Sequence, residues 1–443
     1  MRVLLICDTL SPEYGWGRYA IGLVRALRRL GLSFTLLSPR HLCRDGELRA
    51  LPAHGTITSF VSETRRIPRL VVANALAIRR ALAGCDAVHC VTEPYAIPAA
   101  LVAGRAPLLV TLHGTYAVRP FTRWRERPYY DFAYRRAARL LPVSAFTQAL
   151  LPSRFRGPKT RVVPEGVDVE RFRPLTAAAV PDRPYLLSVG PVKRRKGYHV
   201  TLEAFAHVHR ARPDVEYRIV GGVDDRAFMR DLAARIAELG LQDAVRFLGR
   251  VPDDELVRLY HQCAAFWLLP VDDDLQFEGF GLVYWEANAC GRPVIGAAGS
   301  GAEDAIEDGV NGFLVPPHDP PAAAAAALRL LNDPGLTDRM GAAGRARVRP
   351  WDAVASMLVE QYEAVAGRRV HMPGGGTPYR PDPRRTDSRP QQEAVRAAAH
   401  LDLHRSPYPP PASRPPALPR GEGASTAPPA HLADGEPPAV TIP

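Results

Sequence analysis

Two glutamates with seven residues between them mark the segment FEGFGLVYWEANACGRPVIG. Glu278 follows the apolar run AAFWLLP, a predicted strand, and Glu286 falls within a predicted helix. Carboxylates accept hydrogen bonds and repel anions, so this pair suits sugar and ribose hydroxyls better than phosphate. The alternative interpretation is an ordinary capping acid followed by an ion-paired helical residue.

The helix is predicted to begin near Phe280 or Gly281, where glycines allow the backbone to approach a ligand. The first N–H groups of a helix lack intrahelical acceptors and bind anions. The amides of Gly281, Leu282 and Val283 are therefore candidate ligands for a diphosphate.

A short basic loop follows a predicted strand in YLLSVGPVKRRKGYHVTLEAF. The chain has only three lysines, Lys159, Lys193 and Lys196, and two of them lie in this loop. Arg195 and Lys196 stand at the carboxyl end of the strand, where open α/β sheets bind ligands and cations neutralise phosphates. A solvated basic loop is the alternative.

Two further segments carry candidate residues in the first half of the chain. Gly15 and Gly17 follow the first strand and allow a loop to lie close to a ligand, although they do not form the dinucleotide motif GxGxxG. His113 follows the buried run LVTL and could contact a transferred group. A plain turn and a structural histidine are the alternatives.

These residues are placed by a repeated alternation of β-rich runs and helical stretches. Runs such as VLLIC, FTLLS and PLLVTLH are followed by a second series that begins at YLLSVG, which predicts two parallel-sheet α/β domains. The expected boundaries are a first domain at 1–164, a connection at 165–184, a second domain at 185–350, an amphipathic helix at 351–368 and a disordered tail at 369–443. The prediction of the tail rests on the 17 prolines found between positions 371 and 443.

Composition and charge limit the compartment and the partners that we expect for this protein. The chain has 443 residues, a formal net charge of +11 and six cysteines without metal-ligand spacing. The amino-terminal apolar run is too short for a signal peptide, and no stretch approaches the length of a spanning helix. We therefore expect a cytoplasmic protein without a nucleic-acid partner, since no recognition motif accompanies the charge.

The stretch RPFTRWRERPYYDFAYRRAARLL combines seven arginines with six aromatic residues. Arginines and interfacial aromatics on one helix face can contact an anionic bilayer or a phosphorylated lipid. The alternative is a basic helix whose aromatic residues belong to the core. A peripheral contact with an anionic membrane is thus one of two expectations.

From Met1 to about Gly367 the chain resembles the family 4 glycosyltransferases. The similar segments include VVPEGVDVERFRP, FLGRVPDDELVRLYHQC, EGFGLVYWEANACGRPVIG and EDGVNGFLVPPHD, in the family's order. The resemblance implies the GT-B fold, in which two Rossmann-like domains face each other and the last helix packs back on the first domain. It also implies retaining transfer of a hexose from a UDP- or GDP-sugar to a glycan, lipid-linked or small-molecule acceptor, with no cofactor and no metal.

The resemblance also implies roles for single residues. Glu278 and His113 would lie at the reacting sugar as catalytic residues, Glu286 would contact the ribose, and Val251 would lie by the nucleobase. The remaining donor-binding residues would hold the diphosphate; these are Gly15, Gly17, Arg195, Lys196 and the amides of Gly281, Leu282 and Val283.

Two positions depart from the family pattern. Pro191 replaces a common arginine after Gly190, and Glu165 replaces a common asparagine. The first departure leaves a catalytically silent nucleotide-sugar-binding protein open as an alternative. A non-hydrolysing sugar-nucleotide epimerase, which has a similar two-domain shape, is a second alternative. The order of the family motifs argues against the epimerase.

Overall fold

A computed structural model describes residues 1–51, 54–60, 67–175, 181–273 and 276–370. Of the tail expected at 369–443, residues 371–443 lie outside the described residues. Within them all six cysteines are free thiols, and no helix is both long and apolar enough to cross a bilayer.

The first of two sheets has the strand order β3-β2-β1-β4-β5-β6 and is parallel throughout. Its strands are Arg2–Ile6 (β1), Ser33–Ser38 (β2), His54–Thr56 (β3), Ala87–Cys90 (β4), Leu108–Leu112 (β5) and Arg139–Pro142 (β6). The central strands are fully buried because helices cover both faces, and this explains their continuous apolar sequence.

Helices connect these strands by crossovers, and one more helix follows the last strand. They are Gly15–Arg29 (α1), Gly46–Arg49 (α2), Ile67–Ala81 (α3), Ala96–Val102 (α4), Thr115–Val118 (α5), Arg127–Arg136 (α6) and Ala145–Leu150 (α7). The helix α3 packs against α4, and α4 packs against α6, so these three form one continuous layer.

The second sheet repeats the design with the order β12-β11-β10-β7-β8-β9. Its strands are Tyr185–Val189 (β7), Glu216–Val220 (β8), Val245–Gly249 (β9), Ala265–Leu268 (β10), Val294–Ala297 (β11) and Gly312–Val315 (β12). Its helices are Tyr198–Ala211 (α8), Arg226–Glu238 (α9), Asp253–Gln262 (α10), Leu282–Ala289 (α11), Ala302–Ala305 (α12), Pro320–Asn332 (α13) and Pro334–Arg347 (α14). Two parallel sheets with helices between their strands are the predicted architecture.

The last helix, Trp351–Ala366 (α15), returns to the first sheet and packs against α1. The ring of Trp351 lies so close to Gly22 that a Cβ there would be 2.3 Å from it. Tyr362 at the other end hydrogen-bonds to the buried His89 at 2.7 Å. The chain passes between the two sheets near Val167 and again near Arg349. These two segments lie side by side, and the N–H of Val167 donates to the carbonyl of Arg349 at 2.9 Å.

Candidate functional site

Two loops, one from each sheet, meet at the carboxyl ends of their strands. The loop after β5 contains Gly114, and the loop before α11 contains Gly279; a Cβ on Gly114 would lie 2.8 Å from the Cα of Gly279. Thr115 Oγ1 accepts from the N–H of Phe277 at 3.0 Å and donates to the Phe277 carbonyl at 3.2 Å. The residues next to these glycines, His113 and Glu278, are therefore brought to one place.

The carboxylate of Glu278 lies between the two cations predicted for the phosphate site. Its Oε2 is 2.5 Å from Lys196 Nζ and 3.1 Å from Arg195 Nη1. Burial alone would raise the pKa of Glu278, but Lys196 and Arg195 lower it to about 2, so the group is ionised. Burial lowers the pKa of Lys196, with Arg195 adding to that effect and Glu278 opposing it. Carboxylate and cations form one ion cluster.

The helix α11 begins beside this cluster. Gly281 precedes the helix with a φ of 84°, a left-handed conformation that disfavours other residues, and a Cβ there would also meet the Tyr284 ring at 2.5 Å. This sharp turn starts the helix at Leu282, so the predicted start is confirmed. The first amides, including those of Leu282 and Val283, have no acceptor within the helix.

Glu286 lies one turn further along α11 and is buried. Its Oε2 accepts a hydrogen bond from the hydroxyl of Tyr260 at 2.8 Å, and its Oε1 is 3.6 Å from Arg18 Nη1. Arg18 belongs to α1 and Glu286 to α11, so this contact joins the two halves of the cleft. It also places the start of α1 beside α11.

His113 is held by the first half of the chain. Its Nε2–H donates to the Val91 carbonyl at 2.8 Å, and its Nδ1 is 3.9 Å from Glu165 Oε1. The Glu93 carboxylate accepts from the backbone N–H of His113. Burial would lower the pKa of His113, but Glu165 and Glu93 raise it above its usual value. The imidazole thus lies near two acids. Its ring also packs edge-on against the ring of Tyr19, with 4.6 Å between the ring centroids.

The glycines of the first segment lie differently from the prediction. Gly15 and Gly17 lie in the first turn of α1 and not in a loop, since α1 begins at Gly15. Gly17 is required by packing, since a Cβ there would lie 1.9 Å from the Ser11 carbonyl oxygen, whereas nothing lies within 4 Å at Gly15. Val251 is half-buried in the loop between β9 and α10.

Four neighbours of the site were not predicted from the sequence as partners. Arg18, Tyr260, Glu165 and Glu93 each contact a predicted residue across a long sequence separation. Among these four, only Glu165 carries a local sequence signal, its departure from the family's asparagine.

Two family models match the chain. The model of Glycosyltransferase Family 4 matches residues 15–171, and the model of Glycosyl transferases group 1 matches residues 176–347. The two matched regions contain, respectively, His113 and the cluster of Glu278.

Proteins similar in sequence to this chain are also named as glycosyltransferases. A D-inositol 3-phosphate glycosyltransferase from Streptomyces bingchenggensis is 36% identical over 228 residues, which are 47% of this chain and 48% of that protein. This chain thus spans about half the length of that relative. A GDP-mannose-dependent alpha-(1-6)-phosphatidylinositol monomannoside mannosyltransferase from Mycolicibacterium smegmatis is 31% identical over 264 residues, 56% of this chain and 67% of that protein.

The fold is also that of a solved structure. HepE from Anabaena, in complex with UDP and glucose, superposes with a TM-score of 0.67 over 82% of this chain and the whole of that chain, at 20% identity. This likeness confirms the predicted fold of two Rossmann-like domains in the GT-B arrangement. With a relative matched over two thirds of its length, the chain belongs to the family 4 glycosyltransferases.

Proposed function

We propose that the protein transfers a hexose from a UDP- or GDP-sugar to an acceptor, with retention of the anomeric configuration. The observation that carries the proposal is the cluster of Glu278, Arg195 and Lys196 at the start of α11, facing His113 across the cleft. Cations, free amides and a carboxylate together are the groups that a diphosphate sugar requires.

In this proposal the diphosphate binds to Arg195, Lys196 and the first amides of α11. Phosphate oxygens then take the place of the Glu278 carboxylate at the cations, and Glu278 becomes an acceptor for the sugar hydroxyls. Charge on the leaving diphosphate is stabilised by these fixed donors, so the proposed reaction needs no metal. Glu286, oriented by Tyr260, accepts hydrogen bonds from the ribose hydroxyls.

We further propose that the first domain binds the acceptor and that His113 contacts the transferred sugar. A lipid-linked acceptor at the cytoplasmic face of the membrane is the first class to test. The name of the mycobacterial relative, which specifies GDP-mannose and a phosphatidylinositol mannoside, supports that choice.

The test is a thermal-shift titration of the full chain with UDP, GDP, ADP and their sugars. A ligand at about 100 times its Kd stabilises the native state by about 2.7 kcal/mol, so one nucleotide class should raise the Tm. Glu286→Ala and Lys196→Ala should abolish the shift, while the matched control Lys193→Ala should keep it. A folded protein that shifts with no nucleotide would refute the donor site.

Turnover separates the enzyme from the two alternatives. Release of the nucleotide from a sugar donor, with new glycoside formed, excludes both a silent binding protein and an epimerase. Binding without turnover across acceptor classes would favour the silent protein.

A further inference from the structure

The arginine- and aromatic-rich segment between β5 and β6 is divided between core and surface. Tyr134 is buried, and Tyr130 is half-buried. Trp124, Tyr129 and Phe132 are on the surface, with 77%, 62% and 44% of their area exposed. The alternative of a helix whose aromatic residues all belong to the core therefore fails for half of them.

Exposed apolar residues continue from α6 onto α4 and from there onto α3. Leu101 on α4 is 57% exposed, and Val72 and Leu76 on α3 are 60% and 52% exposed. Val72 and Leu76 are four residues apart and share one face of α3. Because α3, α4 and α6 pack in that order, we name their solvent-facing side the α3-α4-α6 surface.

The α3-α4-α6 surface is strongly basic. The helices α3 and α4 contain no acidic residue. On α6 and just before it, Asp131 and Glu126 are already paired, with Arg135 and Arg154 and with Arg123 respectively. The exposed arginines on these helices and their flanks are Arg69, Arg79, Arg80, Arg105, Arg123, Arg125, Arg127, Arg135 and Arg136.

A shallow cavity of about 570 Å³ opens in this surface beside Phe132. Its wall contains Arg127, Arg135 and Arg154 together with Asp131, which forms ion pairs with Arg135 and Arg154. In the part of the chain that the structure describes, no carboxylate forms an ion pair with Arg127. Guanidinium groups around an open cavity next to an exposed aromatic ring fit a phosphate whose alkyl chains continue into an apolar phase.

We propose that the α3-α4-α6 surface docks on an anionic lipid bilayer. Exposed Trp, Tyr and Leu side chains insert at the boundary of headgroups and acyl chains, and arginines bind the anionic headgroups. Aliphatic Val72, Leu76 and Leu101 have no partner on the polyanionic backbone of a nucleic acid, so the apolar part of the surface selects the bilayer.

Topology places this surface next to the cleft. The helix α6 precedes β6 and runs antiparallel to it, so α6 begins at the carboxyl end of the strands, where His113 follows β5. A bilayer bound to the surface would therefore reach the cleft edge. The inference rests on the proposed function, because it names the phase from which a lipid-linked acceptor would enter the cleft.

The experiment measures cosedimentation of the full chain with vesicles. Vesicles of phosphatidylcholine with about one third phosphatidylglycerol should bind the protein, and pure phosphatidylcholine should bind it at least about tenfold more weakly. Rising salt should weaken the binding, because it screens the arginines.

Two variants with matched controls locate the surface. Arg79→Gln, Arg80→Gln and Arg127→Gln together should weaken binding by about 100-fold, since each basic residue near an anionic surface contributes about fivefold. The control removes three exposed arginines of the second domain, Arg210, Arg226 and Arg230, and should bind like the unchanged protein.

The apolar part is tested separately. Trp124→Ser with Tyr129→Ser should weaken binding by at least about tenfold, and its control, Leu248→Ser with Val310→Ser, should not. The proposal is overturned if anionic vesicles do not bind the protein at low salt, or if the surface variants bind as tightly as their controls. Neither result touches the donor site, because the nucleotide-dependent Tm shift is measured without lipid.

Discussion

Replacement of Lys196 by methionine tests whether Glu278 and its cations, at the proposed donor site, form a coupled ion cluster. The pKa of Glu278 falls from an ordinary 4.5 to about 2, and this corresponds to roughly 3 kcal/mol of stabilisation of the buried carboxylate. Lys196 is the nearer of the two cations, at 2.5 Å against 3.1 Å for Arg195. We therefore expect Lys196→Met to lower the free energy of unfolding by about 2 kcal/mol or more, because Glu278 loses its main partner.

The double variant distinguishes coupling from two separate losses. Lys196→Met combined with Glu278→Gln should be more stable than the sum of the single effects predicts, because no unpaired charge is left buried. Urea unfolding at pH 7, followed by tryptophan fluorescence, measures all four proteins of the cycle. Since the pKa of Glu278 is lowered, its stabilisation is present above pH 4.5 and is lost as the pH falls towards 2.

The control cycle replaces Lys193, whose ammonium pairs with Asp224 at 3.3 Å and not with Glu278. Lys193→Met and Glu278→Gln should be additive. Single effects of Lys196→Met and Glu278→Gln that add to within about 0.5 kcal/mol would refute the coupling and, with it, the description of the cluster as one electrostatic unit.

Three further outcomes follow from single contacts. Gly114→Ala should slow sugar transfer and lower Tm, because Gly114 has a φ of 77° and the new Cβ would meet the Gly279 backbone. Gly104→Ala is the control for backbone strain in the same assays, because Gly104 has a φ of 57° and open space around it. Tyr260→Phe should raise the KM for the donor by roughly tenfold with less effect on kcat, since Glu286 loses an orienting hydrogen bond, and steady-state kinetics would show an unchanged KM if the bond has no such role. Burial raises the pKa of Asp304 to about 6, so the native state binds a proton more readily than the unfolded chain does as the pH falls. The free energy of unfolding of the unchanged protein, relative to that of Asp304→Asn, should therefore increase by roughly 1 kcal/mol from pH 7 to pH 5. A difference in urea unfolding that is flat or of opposite sign would contradict this.

Strong local patterns allowed most of the fold to be predicted. The buried central strands are continuous apolar runs, and α15 has a clear helical period, so both were predicted close to their observed positions. No long apolar run predicts β3 or β12, since each is a three- or four-residue edge strand that pairs with one neighbour only. Such strands depend on their neighbour for hydrogen bonds and carry little pattern of their own.

The residues of the candidate site could be predicted one by one, but not their contacts. Glu278 and Lys196 are 82 positions apart, and Arg18 and Glu286 are joined across the two domains. The first pair forms because β7 and β10 are neighbours in the second sheet, and the second pair forms because the two sheets meet; no local spacing encodes either arrangement. Gly15 and Gly17 were predicted in a loop because glycines let a backbone approach a ligand, whereas at Gly17 the close approach is to the Ser11 backbone within the first turn of α1.

The return of α15 to the first sheet sets the order in which the protein can be completed during synthesis. Trp351 covers Gly22 and Tyr19, and Tyr362 hydrogen-bonds to the buried His89, so residues near the end of the described chain close a core that begins at the amino terminus. On the ribosome the second sheet can form before the first domain is sealed, because all its strands precede α15. The first sheet and its helices, complete at Leu150, therefore wait partly open until α15 ends at Ala366, which is roughly half of the chain length later.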